Sequence, residues 1–180
     1  MASSDTIPVG IDLGTTFSAV AYLDSAGRPI TLRNSEGDLT TPSVVFLDRT
    51  SAIVGVEASD AGVQEPDRLA TFAKRDVGEQ VLSKALRGEH IPAEVIQAII
   101  LKKLKADAEL KLGPISKAVV TVPAFFNDPC RKATLDAARL AGLELIDVIN
   151  EPTAAAITYG IEKGFLNSRG ESLEDETVLV

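Results

Sequence analysis

VGIDLGTTFSAVAYL, residues 9–23, decides how the rest of this chain is read. Two apolar runs, 9–12 and 18–23, flank Gly14, Thr15 and Thr16. Short apolar runs broken by such a stretch read as strands joined at a turn, so the segment is expected to be a β-hairpin. Successive backbone N–H groups in a Gly/Thr turn converge on one spot and form an anion-binding concavity, to which the Thr hydroxyls add donors. Gly14, Thr15 and Thr16 are therefore candidate phosphate ligands. Asp12 closes the first strand beside that spot. Its carboxylate would repel a phosphate unless a cation lies between them, and a hydrated Mg²⁺ meets that need. The simpler alternative is an Asp that caps the turn, and the stretch alone favours it.

Composition narrows the functional classes. With 45% hydrophobic and 24% charged residues over 180 positions, the chain is globular and long enough for one sizeable core or two small ones. A net charge of −8, no Trp and two Tyr leave neither the basic surface nor the stacking platforms that nucleic acid requires, so no nucleic-acid partner is expected. One Cys and one His can build neither an internal disulfide nor a zinc site together, which fits a reducing compartment. No run approaches about 18 apolar residues, and residues 1–6 lack signal-peptide character. A cytoplasmic protein with no membrane partner is expected.

Beyond the hairpin, residues 28–33 alternate as a third strand after a turn at 24–27, and 34–38 form another turn. Residues 43–47 form a β-branched run with 52–55 as an antiparallel partner. Residues 57–63 suit a short helix that Pro66 stops. No period organises residues 69–78, which read as loop or broken strand, and Lys74 and Arg75 within them read as a solvated surface pair. Pro92 opens the clearest helix, 92–112, with Ile96, Ile100, Leu104 and Ala108 on one face and lysines toward water. His90 before it reads as a loop residue. From residue 117 strand and helix alternate: AVVTV (118–122) as a strand buried on both faces, a helix over 128–141, a strand over 143–149, and a helix from Pro152 to about residue 163.

Two consecutive strand–helix units predict parallel strands with right-handed crossovers added to the meander. The expected fold is α/β, a five-stranded mixed sheet in the order βββ, insertion, βαβα. Glu151 follows the last of these strands. Ligands of open α/β sheets gather at the carboxyl ends of strands, so Asp12 and Glu151 converge if their strands run the same way. Glu151 equally suits simple charge complementarity at a helix N-terminus; spacing alone leaves the two readings even.

Five stretches then carry a resemblance: GIDLGTTFS (10–18), EGDLTTPSVV (36–45), AKR (73–75), AVVTVPAFFND (118–128) and INEPTAAAITYG (149–160). In sequence and order they resemble the seventy-kilodalton heat-shock chaperone family, DnaK-type, over residues 7–164. The resemblance implies the actin-like ATPase (ribonuclease H-like) fold and the first lobe of a nucleotide-binding domain. It implies ATP/ADP as ligand with Mg²⁺ and K⁺, Asp12 and Glu151 organising the Mg²⁺ through water, and Gly14, Thr15 and Thr16 on phosphate. Lys74 is implied to sit against the γ-phosphate and the attacking water, with Lys74 and Glu151 as the catalytic pair, and Pro123 and Arg131 to serve communication between domains. Implied partners are unfolded or nascent polypeptide clients, a J-domain co-chaperone and a nucleotide exchange factor.

The chain departs from the family pattern in places. Between Gly78 and Ile91 it is much shorter than typical members. Phe17, Pro129 and Cys130 replace the usual side chains, and Asp147 stands where many bacterial members carry Arg near the co-chaperone contact. The expected organisation is a core of residues 1–40 and 113–175, a shortened inserted subdomain at 41–112, and at 176–180 the first strand of a second lobe. A second phosphate loop, the adenosine pocket and the client-binding domain are not found in the 180 residues, so the chain alone is expected to fold without hydrolysing ATP. A sugar or acetate kinase lobe and an actin-like filament subunit share the first loop and are the alternatives.

Overall fold

The computed structural model describes residues 6–167, 171, 172, 177 and 179. In chain order the elements are β1 (Val9–Leu13), β2 (Phe17–Leu23), β3 (Pro29–Thr31), β4 (Thr41–Pro42), β5 (Val45–Leu47), β6 (Ala52–Val54), α1 (Val56–Gln64) and β7 (Leu69–Ala70). A 3-10 helix, Ala73–Asp76, follows, then α2 (Ala93–Leu112), β8 (Lys117–Val122), α3 (Asp128–Leu140), β9 (Glu144–Asn150) and α4 (Glu151–Glu162). The strand expected at 176–180 falls largely outside the described residues.

The main sheet runs β3-β2-β1-β8-β9. β1 pairs antiparallel with β2, and parallel with β8, which in turn pairs parallel with β9. This is the expected five-stranded mixed sheet. A short sixth strand, β4, joins β2 antiparallel, Ser18 opposite Thr41, because the chain leaving the 34–38 turn runs back along the start of β2 and Ser43 N–H donates to Thr16 O (2.8 Å). A second sheet, β6-β5-β7, carries α1.

Alternation along the strands decides which face each residue serves. In β1, Val9, Ile11 and Leu13 are buried while Gly10 and Asp12 are not, so two-residue periodicity puts Asp12 on the face away from the core. β8 repeats the pattern, with Ala118, Val120 and Val122 inward and Thr121 outward. β8 is thus fully buried on one face only; its other face, toward α4, is half-covered. α2 and α3 close the inner face, where Ile96, Ile100, Leu101, Leu104, Ala133 and Ala137 meet the strand residues. Asn127 caps α3, its side chain accepting from Cys130 N–H (3.1 Å).

α2 buries a wider face than its four-residue repeat implies. Lys103 does not point to water: its ammonium binds Asp107 (2.6 Å), Glu36 and Ser35, tying the 34–38 turn to the helix. Lys105 donates to Gly142 O (2.9 Å) at the end of the α3 region. The physical reason is that α2 is packed on several sides, so lysines beside its core stripe meet carboxylates and carbonyls.

Candidate functional site

The parallel register that sets Ile11 beside Val120 also sets Asp12 beside Thr121, one residue further along both strands. Thr121 Oγ1 donates to Asp12 Oδ1 at 2.7 Å, which fixes the carboxylate's orientation and leaves Oδ2 free of that bond. β9 runs parallel to β8 and ends at Asn150, so Glu151, the first residue of α4, arrives at the same sheet edge. Asp12, Gly14, Thr15, Thr121, Glu151 and the α4 residue Ala154 border one open cleft of about 430 Å³. Two carboxylates distant in sequence therefore face a common space.

The turn between β1 and β2 is built on Gly14. A Cβ there would stand 2.0 Å from Phe17 O, so no other residue fits without moving the backbone. Gly14 N–H donates to Ser18 Oγ (3.2 Å), and Ser18 Oγ lies 2.9 Å from Ser43 Oγ. Thr15 borders the cleft, whereas Thr16 is exposed next to it, its carbonyl accepting from Ser43.

Lys74 overturns its reading as a surface residue. It is 7% exposed, and its Nζ donates to Leu13 O (2.5 Å) and to Glu151 Oε1. A buried ammonium requires such partners. Phe72 supplies the geometry: at φ 56 it takes the left-handed conformation, rare without glycine, and starts the 3-10 helix that turns Lys74 inward. Arg75 stays outside, its guanidinium 4.7 Å from the Phe72 ring centroid. The two neighbouring cations are thus split between interior and surface, which no helix or strand period in residues 69–78 announces.

Arg131 on α3 donates to Asn150 Oδ1 (2.5 Å) and to Phe126 O (3.2 Å). Because Asn150 spends its side chain on Arg131, it does not cap α4, and the residue before Glu151 is held from the α3 side. His90 lies exposed in the loop before α2.

Thr121 and the Leu13 carbonyl are the site members that sequence reasoning missed. A lone hydroxyl in AVVTV was the available signal, and it becomes interpretable only once the register with Asp12 is known. Among the described residues no group of three or more His, Cys, Asp or Glu gathers. Two carboxylates facing an open cleft match an ion that keeps most of its water, as Mg²⁺ does. Among the described residues no helix is long and apolar enough to cross a membrane. A family model described as Hsp70 protein matches residues 8–90 and 79–180, a span that contains every residue of the cleft.

Proposed function

The chain belongs to the Hsp70 protein family, its mixed sheet being the actin-like ATPase fold, and we propose that Asp12, Gly14, Thr15, Thr16, Lys74 and Glu151 form the phosphate and Mg²⁺ side of an ATP site. One observation carries the proposal: a buried ammonium, paired with Glu151, stands at the root of the turn whose outer side meets the cleft shared by both carboxylates. The family match does not favour the sugar or acetate kinase and actin-like filament readings.

The residues divide the work by position. Gly14 shapes the turn and spends its N–H on Ser18, so the amides and hydroxyls of Thr15 and Thr16 serve as the phosphate donors. Asp12, aimed by Thr121, and the free oxygen of Glu151 would hold water molecules around Mg²⁺. When bound, that ion neutralises phosphate charge and orients the leaving group. Lys74 keeps a fixed positive charge where charge develops during phosphoryl transfer to water, a contribution that needs no reorganisation because its partners already hold it. In this reading Lys74 affects the rate of hydrolysis more than it affects binding.

In the same reading residues 1–40 and 113–175 are the core and 41–112 a small insertion. Family membership supports, for the full protein, a cytoplasmic chaperone role in which ATP turnover is coupled to polypeptide clients and served by a J-domain protein and an exchange factor. Arg131, through Asn150, would connect the nucleotide side to the α3 surface.

The test is a Mg·ATP titration of the 180-residue chain followed by amide NMR. Because the cleft is open, affinity is expected to be weaker than about 1 mM, a range that chemical shifts still report. The amides of Thr15 and Thr16 are expected to move with ATP only when Mg²⁺ is present, and Asp12→Asn to remove the Mg²⁺ dependence. Shifts that map away from the turn, or that ignore Mg²⁺, would overturn the reading.

A further inference from the structure

Gln97 is out of place on α2. Ile96, Ile100, Leu101 and Leu104 around it are core residues, yet Gln97 is itself 2% exposed. A buried amide destabilises the fold unless something meets its polar atoms. Among the described residues nothing donates to its Oε1. Gln97 borders a small gap of about 10 Å³ whose other walls include Gly14, Thr15, Ser43 and Lys74. The gap therefore shares the Gly14–Thr15 turn with the cleft.

Size and polarity identify what fits. About 10 Å³ is roughly the least that admits one water, and a buried water needs two to four polar partners. The ammonium of Lys74 has three N–H donors and gives two of them to Leu13 O and Glu151. Gln97 Oε1 is an acceptor without a donor, and the Ser43 hydroxyl adds a third polar group on the wall. A metal cation is opposed by the adjacent ammonium, and an anion by the amide oxygen. We propose that a single internal water occupies this gap, accepting from Lys74 Nζ and donating to Gln97 Oε1, so that Gln97 is a positioning residue for the Lys74 ammonium.

The ammonium is then held from three directions: the end of β1, the start of α4, and α2 through the water. Its three protons are all directed, and the charge cannot swing toward bulk solvent. That this serves phosphoryl transfer rests on the nucleotide reading above; the water and its partners do not.

Two measurements on the 180-residue chain test the proposal. A high-resolution crystal structure is expected to show an ordered water within hydrogen-bond distance of both Gln97 Oε1 and Lys74 Nζ, and Gln97→Leu to lack it. Exchange of the Lys74 Nζ protons, followed by ¹⁵N NMR, is expected to accelerate at least about tenfold in Gln97→Leu, the low end for one hydrogen bond to a charged group. Gln97→Glu, which keeps an acceptor at the same reach, is expected to retain the water and slow exchange, and it serves if Gln97→Leu does not fold. An empty gap, or exchange unchanged in folded Gln97→Leu or fast in Gln97→Glu, would overturn the proposal. If the water is found while Mg·ATP leaves the turn unmoved, the nucleotide reading fails and this one stands.

Discussion

Breaking the Lys74–Glu151 pair from its two sides should cost unequal amounts. The Lys74 side chain is 6% exposed and that of Glu151 39%. Removing one member of a fully buried pair costs about 3–5 kcal/mol, and exposed pairs are worth about 0–1 kcal/mol; this pair lies between. In Glu151→Gln the stranded charge is the buried ammonium, left with the Leu13 carbonyl, a neutral amide oxygen and the water proposed beside Gln97. A loss of about 2 kcal/mol is expected, near the middle of the range for hydrogen bonds to charged groups. In Lys74→Met the stranded charge is Glu151, which turns to water, and the remaining cost is the undonated Leu13 carbonyl, about 1 kcal/mol. Urea unfolding followed by circular dichroism reads the difference. With a slope of about 2 kcal/mol per M, the midpoint should fall by about 1 M for Glu151→Gln and about half that for Lys74→Met. The reverse order, or two losses within experimental error of zero, would show that burial of the ammonium does not govern this edge of the sheet.

Further outcomes follow from the same geometry. Thr121→Val keeps the shape of the side chain and removes the donor to Asp12 Oδ1; the Mg²⁺ concentration needed for the ATP-induced shifts should rise about tenfold, as for lost partners of metal-orienting groups, and an unchanged requirement would dismiss Thr121 from the site. Burial raises the Glu36 carboxyl, but hydrogen bonds from Lys103 and its own backbone outweigh this and hold it below its ordinary value of 4.5. A depressed folded value gives stability that is complete above 4.5 and lost as the pH falls through the folded value. Glu36→Gln should therefore flatten part of the acid limb of a plot of urea midpoint against pH, and an identical limb would contradict it. Titration calorimetry of the chain with Mg·ATP should find affinity weaker than about 1 mM; micromolar binding would mean that the described cleft holds the nucleotide without further walls.

The order of elements along the chain and the mixed character of the main sheet were legible because their signals are local and periodic. Residues 9–23 carry a hairpin in their own pattern, and the strand–helix alternation after residue 117 leaves few topologies open. β4 was not legible, since two residues, one of them Pro42, carry no period and pair only because the chain returns along β2. Within the site, Asp12 and Glu151 were singled out from positions at strand ends. Their shared cleft depended on β1, β8 and β9 being parallel, a property of the sheet and not of either residue. Lys74 was misread on residue chemistry alone because exposure is the usual state of a lysine, and its inward course depends on the left-handed Phe72 and a four-residue 3-10 helix too short to show a pattern. Gln97 was not singled out, because polarity at one buried position is visible only when its surroundings are known.

The central claim is that Asp12 and Glu151 share a hydrated divalent cation next to the Gly14–Thr15 turn, and replacing Mg²⁺ by paramagnetic Mn²⁺ reads that position directly. In an ATP-saturated sample of the chain, small additions of Mn²⁺ are predicted to broaden the amide resonances of Asp12, Thr15, Thr121 and Glu151 before any others. Asp12→Asn should abolish that selectivity. Broadening that begins at another acidic surface, such as Asp24 or Glu57, with Asp12 and Glu151 unaffected, would contradict the account.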